Sequence, residues 1–291
     1  MARRALCLIV NPSAGRGRAE RLLPAVEAAL RARSLPFRVA RTDSLDHARE
    51  LAQETLERGE IAVGMGGDGL LGAIAGELRG TDGVLGVLPG GRGNDFARKL
   101  GIGTDPELAC EVLFAGREHT IDVADAGGRT YLGIASAGID SDVQHIALAT
   151  RVPLGAMIYV YATLRALGNW RHARWEVVVD GERHAYVGYA AAVANSGMYG
   201  GGMQFAPQAE LDDGLLDVVL TRACSKPRFL LTLPKVFNGT HVDSPDITFL
   251  RAREVEIHVD RPFPVYADGD PIAALPVTIK VVPRAVKVLV P

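Results

Sequence analysis

The stretch IAVGMGGDGLLGAIAGEL, residues 61–78, sets the pattern for the first half of the chain. A short apolar run over Ile61–Val63 predicts a strand, the glycine turn GGDG follows it, and helical spacing continues over Leu70–Leu78. Glycines at a strand end let the backbone pass close to a phosphate, and the start of the next helix offers free backbone NH groups. The stretch therefore predicts a strand, a phosphate-handling turn and a helix.

The same alternation is repeated on both sides of this stretch. Apolar runs predict strands at Ala5–Val10, Phe37–Arg41 and Val84–Leu88, and helical spacing predicts helices over Arg18–Arg33, Asp43–Arg58 and Phe96–Leu100. Strands and helices that alternate with short links are typical of a parallel sheet with helices on both faces. We predict an α/β nucleotide-binding domain over residues 1–124.

The pattern changes near Asp122, and from Thr130 onward predicted strands dominate. They lie at Tyr131–Ser136, Trp175–Val179, Tyr186–Ala194, Leu216–Thr221, Val255–Val259, Pro264–Tyr266, Val277–Val281 and Val286–Leu289. Helical patterns interrupt them at Ser141–Ala149, Gly155–Leu167 and Phe229–Val236. We predict a mainly antiparallel, β-rich second domain over residues 125–291, whose last strand could return to the first domain.

Composition restricts the environment of the protein. A net charge of −2 on 291 residues gives the whole molecule no strong attraction for nucleic acid. The three cysteines show no CxxC spacing, which indicates reduced cytosolic thiols without zinc. The apolar stretch Leu154–Gly168 is too short to span a bilayer and contains Arg165. We expect a cytoplasmic protein that meets a membrane only peripherally.

Two further turns follow neighbouring predicted strands. GGRGND at 90–95 comes after Val84–Leu88, and NPSAG at 11–15 comes after Ala5–Val10. Ligand crevices in open α/β sheets lie beyond the carboxyl ends of the strands, where these turns sit. Arg92 could contact phosphate, while Asn94 and Asp95 could cap the next helix or orient the GGDG turn. The P-loop and the protein-kinase motif set are absent, so these two common nucleotide folds are not predicted.

Taken in chain order, NPSAG, GGDG and GRGNDFAR resemble the NPxSG, GGDG and GTxNDFAR motifs of the diacylglycerol kinase-like lipid kinases. This family includes bacterial diacylglycerol kinases and is related to sphingosine and ceramide kinases, and the resemblance spans nearly the whole chain. It implies an α/β domain of the phosphofructokinase and NAD kinase type, followed by a β-sandwich-like domain. The implied activity is ATP-dependent phosphorylation of a lipid hydroxyl in phospholipid metabolism, with Mg²⁺ and with diacylglycerol or a related lipid as acceptor.

The resemblance also implies the nucleotide contacts. These are Asn11, Pro12, Ser13, Ala14, Gly15, Thr42, Gly66, Gly67, Asp68, Gly69, Leu70, Arg92 and Asn94. Leu70 and Arg92 stand where the family usually has threonine, which removes two hydroxyls from the phosphate region. The charge of Arg92 could compensate for that loss.

The segment Asp268-Gly269-Asp270 resembles the family motif DGE, which supplies the proton acceptor for the lipid hydroxyl. Asp-Gly between two strands is also a hairpin signal in its own right. The resemblance favours the active site and leaves Asp268 and Asp270 as alternative bases. Asp270 replaces the usual glutamate with a side chain one methylene shorter.

Further carboxylates are implied as metal ligands. By the resemblance, Asp68 organises the catalytic Mg²⁺, with Asp95 and Asp122 behind it. A structural Mg²⁺ site of bacterial relatives is matched by Glu210, Asp213 and the carbonyl of Leu215. Oxygen ligands suit Mg²⁺, although an acidic surface turn would have the same sequence.

Two other functions are compatible with part of this pattern. GGDG is shared with NAD kinases and phosphofructokinases, so a kinase for a soluble substrate is one alternative, against which the NDFAR run and the late DGD argue. The lost threonines suggest a non-catalytic nucleotide- or lipid-binding regulator, although every acidic group that the mechanism needs is present. A homodimer is possible, and the lipid itself is not named by the sequence.

Overall fold

The computed structural model describes residues 4–150 and 157–291. The strands of the first half are β1 (Leu6–Val10), β2 (Phe37–Arg41), β3 (Ile61–Gly66), β4 (Val84–Pro89) and β5 (Arg117–Ala126). The helices are α1 (Ala14–Ala32), α2 (Leu45–Glu57), α3 (Asp68–Leu78), α4 (Asp95–Lys99) and α5 (Pro106–Ala115). Strands β2, β1, β3 and β4 pair in that order and all run parallel. The predicted parallel sheet with flanking helices is confirmed.

The second half is rich in strands. These are β6 (Arg129–Tyr131), β7 (Ile134–Gly138), β8 (Ala173–Val179), β9 (Glu182–Ala194), β10 (Met198–Tyr199), β11 (Met203–Gln204), β12 (Leu216–Arg222), β13 (Ile247–Ala252), β14 (Glu254–Val259), β15 (Pro264–Ala267), β16 (Asp270–Ala274) and β17 (Val277–Val290). The helices are α6 (Ile139–Ala149), α7 (Met157–Asn169) and α8 (Lys226–Val236), and a 3₁₀ turn covers Thr240–Asp243. Strands β7, β8, β9, β12 and β13 pair antiparallel, which confirms a β-rich second part.

Strand β17 joins the two halves. It pairs antiparallel with β14 and β5, and its end runs parallel to β4 with Lys287 opposite Val84. The sequence predicted two strands here, but the structure has one, with irregular pairing between Val282 and Val286. The proposed division between residues 124 and 125 lies near the end of β5 and stays a prediction.

Each half has its own apolar core. The first is built around the buried strands β1, β3 and β4, with the end of β17 packed into it. The second contains Trp170 and Trp175, which stack on Phe263 at centroid distances of 5.7 and 5.8 Å. Fully burying one large apolar side chain contributes about 1.5–3 kcal/mol to the stability of the fold. Two well-packed cores therefore fix the ends of the strands, and with them the loops that connect these strands.

One predicted strand is broken in the structure. The sequence predicted a single strand over Tyr131–Ser136, whereas β6 ends at Tyr131 and β7 begins at Ile134. Leu132 and Gly133 lie between them and donate their backbone NH groups to a side chain far along the chain, Asp268, rather than to a neighbouring strand.

Helix α5 and strand β5 were not predicted. Helix α5 has a local signal, because the Asp105 carboxylate accepts a hydrogen bond from the backbone NH of Glu107 at 2.9 Å and Pro106 occupies the first turn. Of the predicted helix Gly155–Leu167, residues 155 and 156 lie outside the described residues. No described helix combines the length and the apolar character needed to cross a bilayer.

Candidate active site

Three glycine turns meet at the carboxyl ends of β1, β3 and β4. The backbone NH of Gly90 donates to the carbonyl of Gly66 at 2.9 Å. A side chain at Gly91 would overlap the Cα of Gly67, and one at Gly15 would overlap the carbonyl oxygen of Gly90. Backbone lies directly on backbone at these points, which only glycine permits. The structure therefore brings together the three turns that the sequence singled out.

The first turn is closed by its own side chains. Asn11 Oδ1 accepts hydrogen bonds from the backbone NH of Ser13 at 3.0 Å and from its hydroxyl at 2.8 Å. Residues Gly15–Gly17 have left-handed dihedrals, so the regular part of α1 begins after them. Thr42 lies at the end of β2, where its hydroxyl donates to the Ser44 carbonyl at 2.6 Å.

The third turn is shaped by Asn94, which has a φ of 52° and is almost fully buried. Its side chain accepts from the backbone NH of Gly91 at 2.8 Å and donates to the carbonyl of the same residue at 3.2 Å. Arg18 also donates to that carbonyl, at 3.4 Å. Arg92 is exposed at the surface of the turn, whereas the Leu70 side chain is only 2% exposed and packs in the core. Only the backbone of Leu70 could contact a nucleotide.

Asp68 and Asp95 link the second turn to the second half of the chain. The Asp68 carboxylate accepts from the backbone NH groups of Asp95 at 3.3 Å and Phe96 at 3.1 Å. The Asp95 carboxylate in turn accepts from Gly201 at 2.9 Å and Gly202 at 2.7 Å. Burial raises the pKa of both carboxyl groups, and the nearby Asp95 charge adds to the rise at Asp68. A cation beside these two carboxylates would offset the cost of burying their negative charge.

Asp122 forms a separate set of hydrogen bonds, away from Asp68 and Asp95. It is fully buried, and its carboxylate accepts from the backbone NH groups of Gly214 at 2.6 Å and Arg284 at 2.7 Å. Arg284 has a φ of 49° and lies in the irregular part of β17. The hydrogen bonds of Asp122 thus hold the point where β17 passes between the two halves, and they do not run to Asp95.

The segment Asp268-Gly269-Asp270 is both a hairpin and part of the site. Asp268 and Gly269 have φ values of 54° and 93°, as a tight turn between β15 and β16 requires. The Asp268 carboxylate accepts from the backbone NH groups of Leu132 and Gly133, both at 2.9 Å. Burial raises the pKa of Asp268 to about 8 in spite of these bonds, and the charges of Asp68 and Asp270 contribute.

This hairpin lies against the start of α3. A side chain at Gly69 would overlap the Asp270 carboxylate, and the Cβ of one at Gly72 would come within 3.2 Å of Asp268 Oδ2. Beside the contact is a cavity of about 160 Å³ that is lined by both carboxylates and by Arg49 and Arg129. A second cavity of about 390 Å³ adjoins it and shares the two arginines. Acidic and basic groups therefore line one recess that reaches Gly69 of the GGDG turn.

At the turn Glu210–Leu215 an arginine pairs with Asp213, and the metal site at this turn stays a prediction. Asp213 Oδ1 accepts from the backbone NH of Leu215 at 2.9 Å, and Oδ2 is paired with the guanidinium of Arg251. Glu210 is exposed. Within residues 4–150 and 157–291, no group of three or more His, Cys, Asp or Glu side chains is arranged to hold a metal ion. An arginine supplies the positive charge at this turn.

Some groups in the site were missed by the sequence analysis. The NH groups of Leu132 and Gly133 and the glycines at 201 and 202 hold the two acidic segments, and backbone donors have no sequence signature. The glycines at 201 and 202 belong to the run NSGMYGGG at 195–202, whose sequence does not show that it binds Asp95.

Comparison with known proteins identifies related sequences for both halves. The model of the diacylglycerol kinase catalytic domain matches residues 5–126, and that of the YegS C-terminal NAD kinase beta sandwich-like domain matches residues 133–290. A Mycobacterium tuberculosis protein named diacylglycerol kinase is 35% identical over 97% of this chain and 94% of its own length. A Pseudomonas fluorescens protein named probable lipid kinase YegS-like is 31% identical over 94% and 91%.

Solved structures share the fold. A crystal structure from Bacillus anthracis str. Sterne superposes with a TM-score of 0.83 at 22% identity and covers 99% of this chain and 95% of its own. A second one, of a diacylglycerol kinase from the same organism, has a TM-score of 0.76 at 21% identity, with coverage of 99% and 97%. At this level of identity the likeness concerns the fold alone.

Proposed function

Because this chain belongs to the diacylglycerol kinase-like lipid kinases, which are phosphotransferases with an alcohol group as acceptor, we propose that it transfers the γ-phosphate of ATP to a hydroxyl of diacylglycerol or a related lipid. The observation that carries this proposal is the contact between the Asp268–Asp270 hairpin and Gly69 and Gly72 of α3. This contact brings the GGDG turn, which suits a phosphate, next to the Asp268–Asp270 hairpin, which suits the hydroxyl of the lipid acceptor.

Phosphoryl transfer depends mainly on positioning and on neutralising charge. The three glycine turns offer close backbone approach, and the amino end of α3, which begins directly after the GGDG glycines, offers free backbone NH groups for a phosphate. Mg²⁺ enters with ATP as part of the substrate, and the buried carboxylates of Asp68 and Asp95 favour a cation beside them. Arg49 and Arg129 line the cavity and suit the negative charge of the nucleotide.

We assign the proton acceptor to Asp270. Both oxygens of Asp268 already accept backbone hydrogen bonds, so this side chain positions the hairpin against Leu132 and Gly133. The Asp270 carboxylate accepts no hydrogen bond from the part of the chain that the structure describes, and burial raises its pKa, as suits a base. A positioned base of this kind contributes about 10²–10⁴-fold in rate.

Where the lipid lies follows from its chemistry. A diacylglycerol is held in a bilayer, so we infer that the protein works from the cytoplasm at the membrane surface. We also infer that two copies could associate, which sedimentation velocity tests directly.

The test is transfer of labelled phosphate from ATP with Mg²⁺ to a panel of detergent-dispersed lipids, with Asp68→Ala and Asp270→Asn beside the wild type. The proposal expects labelled lipid from the wild type and at least about a hundredfold less from either variant. Label on NAD or another soluble acceptor, without labelled lipid, would assign the chain to a different kinase activity. ATP binding without any product would make it a regulator.

A further inference from the structure

Helix α7 covers the second core with one face and exposes an apolar face on the other side. Ile158, Ala162 and Ala166 are buried. Val160 is 49% exposed, Tyr161 39% and Leu164 52%, and their spacing places them together on the helix surface. The outer face of a helix in a globular protein is normally polar. A cluster of exposed apolar side chains on one helix face indicates an interaction surface.

The charges carried by α7 and by the neighbouring helix α8 are all positive. Neither α7 nor α8 contains an Asp or Glu, whereas they carry Arg165, Lys226, Arg228 and Lys235. Arg165 donates to the Tyr161 hydroxyl at 2.8 Å, and Lys226 donates to the carbonyl of Gly168 at the end of α7 at 2.7 Å. Arg228 is paired with Asp246, whereas Arg165 lies on α7 itself and Lys226 contacts its end. An apolar cluster bordered by cations complements an anionic lipid surface.

Helix α6 connects this face of α7 with the carboxylates of the Asp268–Asp270 hairpin. Helix α6 packs on α7, and its Gln144 side chain donates to the carbonyl of Gly269 at 3.2 Å. The hydroxyl of Ser141, also on α6, donates to the carbonyl of Pro264 at 2.7 Å, at the start of β15. A surface that rested on α7 would therefore lie close to the Asp268–Asp270 hairpin.

We propose that the exposed face of α7, formed by Val160, Tyr161 and Leu164 and bordered by Arg165 and Lys226, docks the protein on an anionic phospholipid bilayer. This inference rests on the proposed lipid kinase function, because a lipid acceptor must be reached in a membrane. The apolar side chains enter the headgroup region, and the cations attract the anionic surface. Because α6 packs on α7 and contacts Gly269, docking through α7 would hold the hairpin close to the membrane. A second copy of the chain is the competing occupant.

The central experiment compares the double variant Val160→Ser/Leu164→Ser with the wild type. The control is Leu108→Ser, because Leu108 is 69% exposed but lies on α5 in the other half. Binding is measured by co-sedimentation with phosphatidylcholine vesicles, with and without phosphatidylglycerol. Phosphate transfer is measured in parallel on diacylglycerol in detergent micelles and on the same lipid in those vesicles.

The proposal expects the double variant to bind the phosphatidylglycerol vesicles about tenfold or more weakly and to lose vesicle activity in proportion. Its activity on micelles stays at the wild-type level, and Leu108→Ser behaves as the wild type in every assay. Arg165→Gln weakens binding only to vesicles that contain phosphatidylglycerol, and added salt removes that difference.

Two results would overturn the proposal. Vesicle binding of the double variant equal to that of the wild type would show that this face does not dock. A wild-type dimer that dissociates in the double variant, seen by sedimentation velocity, would assign the face to a second copy. Loss of vesicle binding in the double variant, with no lipid phosphorylated by the wild type even in micelles, would support the docking face and refute the kinase activity.

Discussion

Asp270 in the β15–β16 hairpin lies directly against the Cα of Gly69 at the start of α3, so closely that a side chain at Gly69 would overlap its carboxylate. The two residues belong to different halves of the chain and lie far apart in the sequence. Their distance is set by the continuous sheet that β17 completes between the halves. The contact therefore makes the site sensitive to a change of a single methyl group.

The first prediction concerns this contact. We expect Gly69→Ala to lower the rate of phosphate transfer, because the new Cβ overlaps the Asp270 carboxylate and displaces it from its position beside the glycine turn. Near-attack geometry is lost with displacements of about 1 Å, which cost on the order of a hundredfold in rate. Steady-state transfer to a detergent-dispersed lipid is the measurement.

Gly76→Ala is the matched control in the same helix. The nearest atom to a Cβ at Gly76 is part of the Thr130 side chain at 3.5 Å, an ordinary contact. This variant should keep its activity and gain up to about 1 kcal/mol in the free energy of unfolding from the higher helix propensity of alanine. Equal activity in Gly69→Ala and Gly76→Ala would show that the Gly69–Asp270 contact does not matter for transfer.

The second prediction separates the two hairpin carboxylates. Asp270→Asn should lower the single-turnover rate by about 10²–10⁴-fold and leave the melting temperature unchanged, because it removes a base that accepts no hydrogen bond within the described chain. Below the raised pKa of Asp268, Asp268→Asn should destabilise the fold by about 1–3 kcal/mol, because its amide turns a donor toward an NH of Leu132 or Gly133. Full activity in Asp270→Asn would transfer the role of base to Asp268.

The third prediction concerns pH. The pKa of Asp268 is raised from 3.8 to about 8 in the folded protein, so the native state binds more protons than the unfolded state between these values. The free energy of unfolding should therefore fall as pH rises through this window, by at most about 1.4 kcal/mol per pH unit for one such group.

Urea unfolding at several pH values, without nucleotide, checks this expectation. Asp68 and Asp270, whose pKa values are also raised, remain in Asp268→Asn, so the difference between that variant and the wild type reports Asp268 together with its coupling to these two carboxyl groups. We expect a flatter dependence on pH in the variant. Identical slopes would mean that Asp268 does not titrate in this window.

The fourth prediction concerns the Arg251–Asp213 pair. Arg251→Gln removes the guanidinium that occupies Asp213, so Mg²⁺ should raise the melting temperature of this variant more than that of the wild type, without nucleotide present. Arg253→Gln, two residues away, is the control and should respond as the wild type does. A larger Mg²⁺ effect in the wild type than in Arg251→Gln would restore the metal site at this turn.

Much of the fold could be predicted because its signals are local. Glycine turns that follow apolar runs placed the strand ends at 11–15, 66–69 and 90–95, and the structure brings these turns together. The Asp268-Gly269 pair predicted a hairpin because its positive φ values are a property of those two residues.

Other features depend on segments that are distant in the sequence. The gap between β6 and β7 exists because Asp268 takes the NH groups of Leu132 and Gly133, and a pattern of apolar residues cannot show this. The same applies to Asp213, because the sequence of its acidic turn does not show that Arg251 of β13 pairs with it.

The sequence by itself determined the order of the elements and the residue types at the ends of the strands, because backbone preference and hydrophobic periodicity act over a few residues. The tertiary structure alone decided which of those ends face each other: Gly69 with Asp270, Asp68 with the start of α4, and Asp122 with the irregular part of β17. These contacts arise because β17 returns from the β-rich half to pair with β4, and that pairing fixes the spacing between the halves.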